Sequence, residues 1–102
     1  MIWRSARAAC RLERISGVTF ETWAEAVTEI IEDKLGMKNV ASEVYPDHAV
    51  WASRNNRGVA RLDDDGRTVS VVFDRGRGHL YTLADGPEGA GAEIVGRLLG
   101  LV

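Results

Sequence analysis

The side chains with the widest chemical reach in this sequence are Cys10, His48, His79, the run Asp63-Asp64-Asp65, and the arginines of the stretch Asp74-Arg75-Gly76-Arg77-Gly78. A thiol needs a neighbouring base to act as a nucleophile, and both histidines stand far along the chain from Cys10. Cys10 therefore reads as a small apolar residue, and as the sole cysteine it forms neither an intrachain disulfide nor a thiolate metal cluster within one chain. The candidate metal ligands are Asp47, His48, Asp63, Asp64, Asp65 and His79. The triple aspartate does not fit an EF-hand loop, because Arg61 stands where the first ligand belongs, so it reads as a solvated turn. A hairpin between neighbouring strands would nevertheless bring His48 toward Asp63.

The serines Ser5, Ser16, Ser42, Ser53 and Ser70 have no nucleophile elbow around them. The glycine-rich stretch from Asp85 to Gly96 departs from a dinucleotide fingerprint, because Ile94 stands at the third glycine position after Gly89 and Gly91. It also lacks the lysine of a phosphate-cradling loop. No catalytic residue, cofactor or metal is assigned on these grounds. An enzyme reading would need a cleft that joins His79 or His48 to converging carboxylates.

Arginine is the dominant cation, with 11 arginines against two lysines, a skew expected of a GC-rich genome. Four of the arginines fall in two turns, Arg54 and Arg57 in one and Arg75 and Arg77 in another. In a meander of hairpins those two turns share one end of the sheet, and the aspartate turn at Asp63 to Asp65 lies at the other. The expected sheet has a basic end and an acidic end. Guanidiniums grouped in this way hold phosphates or carboxylates through forked hydrogen bonds.

The elements that position these groups are legible from period and punctuation. Thr19 precedes a helical stripe of Phe20, Trp23, Val27, Ile30, Ile31 and Leu35 that stops at Gly36, so a helix is expected over about 20–35. Its outer face is expected to be acidic, with Glu21, Glu25, Glu29 and Glu32. From Val40 onward, short alternating runs are separated by turn residues too brief for helical crossovers, which predicts an antiparallel meander of four to five strands. Val69, Val71 and Phe73 should share its covered face. Pro87 opens a last helix, about 87–100, whose row Ala92, Gly96 and Gly100 is expected to allow close helix approach.

The predicted fold is therefore α+β, with both helices covering one face of the sheet. Residues 18–102 read as one domain, preceded by segment 1–17. There, Arg4, Arg7, Arg11 and Arg14 would line one side of a short helix at 3–15, or mark a basic arm. The 102 residues suffice for one modest core, burying roughly 65% of the unfolded chain's surface. With 45% apolar and 27% charged residues and a net charge of −2, the composition is that of a soluble globule without bulk attraction to nucleic acid. The start of the chain lacks the apolar block of a secretory signal, so a cytoplasmic location is expected.

Trp3, Trp51 and Tyr45 are candidate surface anchors if exposed, with core packing the favoured reading for Trp23 and Trp51. The leading functional expectation is a small, intracellular, non-enzymatic protein-interaction module, self-associating as a homodimer and acting as a regulator, inhibitor or phage or mobile-element accessory protein. Its partner-binding residues are Arg54, Arg57, Arg75 and Arg77, complemented by the acidic helix face. The alternatives are a nucleic-acid-binding module that uses the same arginines, and a small enzyme with a site near His79. The helix, strands, helix order is loosely like that of the double-stranded RNA-binding domain. However, Arg97 is the sole basic residue of the last helix, and that family is not assigned.

Overall fold

The computed structural model describes residues 19–100. Segment 1–17, with Trp3, Cys10 and the expected helix at 3–15, lies outside the described residues, as do residues 101–102.

Helix α1 spans Phe20–Leu35. Thr19 caps it as expected: its backbone is extended, and its hydroxyl accepts from the Thr22 amide at 3.1 Å, satisfying one of the free donors of the first turn. The helix stops at Gly36, whose φ of 93° is costly for any residue with a Cβ, and the Gly36 amide closes onto the Glu32 carbonyl at 2.8 Å. Asn39 then donates to the Leu35 carbonyl at 2.6 Å, filling a second free acceptor at the same end.

Five strands follow: β1 Ala41–Val44, β2 His48–Ala52, β3 Arg57–Leu62, β4 Thr68–Phe73 and β5 His79–Thr82. They pair antiparallel in sequence order, the meander that the short spacers require. The register sets Ser42, Trp51, Gly58 and Phe73 in one row, and Val44, Ala49, Ala60, Val71 and His79 in the next. Both rows face the helices. Gly58 is the close approach in the first row: a Cβ there would lie 2.9 Å from the Phe73 ring, so glycine leaves the room that the ring occupies.

Helix α2 spans Pro87–Leu98, with Pro87 in its first turn. It packs on α1, and the contact point corrects the expected small-residue row. A Cβ on Gly91 would lie 2.7 Å from Ile30 Cδ1, whereas one on Gly96 would meet nothing within 4 Å. Ala92 is exposed. The buried stripe of α2 is Ala90, Gly91, Ile94, Val95 and Leu98, and glycine permits close approach only where it lies on that stripe.

The core joins Phe20, Trp23, Val27 and Ile31 of α1 to Ala49, Trp51, Ala60, Val69, Val71 and Phe73 of the sheet and to Ile94 and Leu98 of α2. Both core tryptophans find acceptors for their indole N–H groups. Trp51 donates to the Thr28 hydroxyl at 2.8 Å, which itself donates to the Ala24 carbonyl at 2.7 Å. Trp23 donates to the Gly86 carbonyl at 3.3 Å. Burial of such large rings without these partners would cost a hydrogen bond each. The covered side of α1 is wider than its apolar stripe and includes Glu25, which is only 5% exposed, so Glu25 is not part of an outer acidic face.

Candidate functional site

The two turns that carry the arginines are held by one buried side chain. Asn56, 8% exposed, donates from Nδ2 to the carbonyls of Arg75 at 3.0 Å and Arg97 at 3.1 Å. Its Oδ1 accepts from the amides of Arg57 and Arg75, both at 2.9 Å. An asparagine amide is the side chain for this position because it offers two donors and a two-pair acceptor on one small plane. The β2–β3 turn, the β4–β5 turn and the end of α2 thus share one hub, which brings together the backbones that carry Arg54, Arg57, Arg75 and Arg77.

Arg97 adds a second link at this end. Its guanidinium lies 5.4 Å from the Phe73 ring centroid, and its Nη1 donates to the Arg77 carbonyl at 2.8 Å. Nearby, Ser53 and Asn55 donate to the carbonyls of Leu98 and Leu99 at the end of α2. Lys38 and Arg54 line an open depression of about 480 Å³ there. Among the described residues, Arg57 to Asp74 at 3.9 Å is the arginine–carboxylate approach at this end. Arg54, Arg57, Arg75 and Arg77 are all exposed.

The opposite end is held locally. Asp65 accepts from the amides of Arg67 and Thr68 at 2.8 and 2.9 Å and from the Thr68 hydroxyl at 2.7 Å. The Arg67 amide first, and then the Thr68 hydroxyl and amide, hold its carboxyl down to a pKa of about 2. The contacts that His48 and Asp63 make are with other side chains. The register sets His48 opposite Arg61, its ring nitrogen pairs with its neighbour Asp47 at 2.8 Å, and Asp63 accepts from Ser70 at 3.0 Å. That pairing with His48 holds the Asp47 pKa below the usual carboxylate value. Tyr45, 42% exposed, stacks on His48 with ring centroids 4.5 Å apart. No group of three or more His, Cys, Asp or Glu side chains suited to a metal ion occurs among the described residues.

His79 does meet a carboxylate, one absent from the sequence-derived candidates. Glu93 Oε1 lies 3.5 Å from His79 Nε2 and accepts from the Tyr81 hydroxyl at 2.8 Å. Burial first, and then this carboxylate, push the Tyr81 pKa well above the usual phenol value. With Asp85, Gly86, Gly89 and Ala90 these residues line a groove of about 290 Å³ beside β5. The trio has the parts of a proton relay, but the His79 and Glu93 side chains are 44% and 55% exposed, so bulk water competes for every proton they hold. Among the described residues, neither serine nor cysteine lines the groove.

The sheet face away from the helices carries Glu43, Val50, Val59 and Val72 in one register row, with Leu80 alongside on β5. Val72 and Leu80 are 63% and 66% exposed. Among the described residues no helix is long and apolar enough to cross a membrane. No protein family, curated protein or solved structure matches the chain.

Proposed function

We propose that the chain is a non-enzymatic protein-interaction module that engages a carboxylate-rich protein surface through the arginine end of its sheet. The observation that carries this reading is the Asn56 hub, which fixes two arginine-bearing turns and the end of α2 against one another. Guanidiniums on a pre-set backbone lose less freedom on pairing than guanidiniums on independent loops. Forked pairing to carboxylates is then the chemistry they favour. A second copy offers such a surface on α1, where Glu32 and Asp33 remain at least partly exposed, so the reading extends to a homodimer. The exposure of His79 and Glu93 in the open groove beside β5 favours this reading over catalysis.

Light scattering at low and high salt tests it. A dimer at low salt that dissociates at high salt, and that is lost in the Arg75→Ala, Arg77→Ala double variant, is the expected result. A monomer under both conditions removes self-association. The same guanidiniums suit phosphate, and a nucleic-acid ligand would show itself as a duplex shifted at low salt, with a salt slope that falls by about two units in the double variant.

A further inference from the structure

A meander leaves two strands with one unpaired side, and among the described residues they are β1 and β5. In β5, the Leu83 amide bonds to the Arg67 carbonyl at 2.9 Å, and the register pairs Tyr81 with Val69 and His79 with Val71. Antiparallel bonding alternates, so residues 79 and 81 bond inward, while the N–H and C=O groups of Leu80 and Thr82 point away from the sheet. Natural edges are commonly blunted by proline, lysine, a bulge or a covering element. The strand His79-Leu80-Tyr81-Thr82 carries neither proline nor lysine, and Leu80 and Thr82 are exposed.

A depression flanks β5 on each side of the sheet. On the helix side lies the groove with Asp85 and Glu93, and on the uncovered side lies an open depression of about 490 Å³ bounded by Val72 and Leu80. A strand added to an edge sends alternate side chains to the two faces, main-chain bonds supplying affinity and the flanking pockets supplying selectivity. One alternate set would meet carboxylates, the other Val72 and Leu80.

We propose that β5 is a docking edge for an extended segment of a partner protein. The segment adds as a sixth strand, with basic side chains directed at Asp85 and Glu93 and apolar side chains directed at Val72 and Leu80. Charge argues for a different protein over a second copy. Two β5 strands paired about a two-fold axis would set two grooves of the same acidic character on one side of the joined sheet, whereas a basic strand neutralises Asp85 and Glu93. This site lies apart from the arginine end and stands whether or not that end binds anything.

The test uses a fluorescent hexapeptide of alternating arginine and valine against one of alternating glutamate and valine, read by anisotropy and by amide hydrogen exchange. The basic peptide should bind and slow exchange at Leu80 and Thr82, and the acidic one should not. Glu93→Gln should weaken binding about tenfold through loss of one charge-assisted contact. Leu80→Pro removes an outward donor while leaving the inward ladder of residues 79 and 81 intact, and it should abolish binding. Should that variant fold poorly, Leu80→Lys tests the other half of the site: it replaces the apolar contact on the uncovered face with a cation facing a basic strand, and it should weaken binding. No binding, equal binding of the acidic peptide, or binding without protection of the Leu80 and Thr82 amides would overturn the proposal.

Discussion

At the arginine end of the sheet, the Asn56 side chain bonds to backbone 19 and 41 residues away. At the aspartate end, the Asp65 side chain reaches no further than Thr68, three residues along. Both ends are hairpin turns with grouped like charges, yet one is assembled by the whole fold and the other by its own sequence. The difference follows from what each charge needs. A carboxylate accepts, and a tight turn supplies backbone N–H donors to it at once. A guanidinium only donates, so it cannot accept from the free amides of its own turn, and a neutral amide side chain from elsewhere must hold the backbone in its place.

The comparison breaks first at Asn56. Asn56→Ala strips partners from two amides and two carbonyls at a largely buried site, and the expected loss is about 2 to 4 kcal/mol of folding stability. Urea unfolding measures it. A loss under about 0.5 kcal/mol, the range of an ordinary surface change, would mean that the two turns hold without the hub and that the ends do not differ in kind.

Arg97→Met sharpens the same contrast with a smaller effect. Methionine keeps the packing on Phe73 but removes the cation over the ring and the bond to the Arg77 carbonyl. A loss of about 1 to 2 kcal/mol is expected, and slowed hydrogen exchange at the β4–β5 turn should weaken more than exchange at the aspartate turn. Uniform weakening at both ends would show that Arg97 supports the core in general and not this turn.

Which parts of this arrangement could be read from sequence depends on how far each residue reaches. Thr19 and Gly36 act within one helical turn, and the alternation of Val69, Val71 and Phe73 acts within one strand, so period and punctuation located them. The α+β class and the hairpin order followed, and with them the grouping of the four arginine-bearing turn positions at one end. Asn56 read as a turn former, because nothing near it in sequence reveals that its amide faces Arg75 and Arg97. Glu93 lies 14 residues beyond His79 on another element, and only the packing of α2 beside β5 brings them to 3.5 Å. The small-residue row failed by one position, since Gly91 and Ala92 point in directions 100° apart on a helix and composition alone does not fix the phase.

The smallest effect belongs to the aspartate end, and it carries a pH signature that the arginine end lacks. Asp65 titrates at about 2 in the folded chain against 3.8 for an unperturbed aspartate, because its ionised form accepts the bonds from Arg67 and Thr68. A folded-state pKa below the unfolded one means that the native state holds the carboxylate ionised, so the stabilisation is complete above about pH 4 and drains away as the pH falls through 4 toward 2. Asp65→Asn keeps a carbonyl acceptor but removes the charge. The variant should therefore melt slightly below the native protein at pH 7, with the gap closing as both are acidified to pH 2. The site is fully exposed, so added salt should narrow the gap as well. A gap that persists at pH 2 would mean that Asp65 acts through shape and not through its charge, and the local, acceptor-driven account of that end would fail with it. In Asn56→Ala, by contrast, the loss should be the same across this range, since no titrating group is removed.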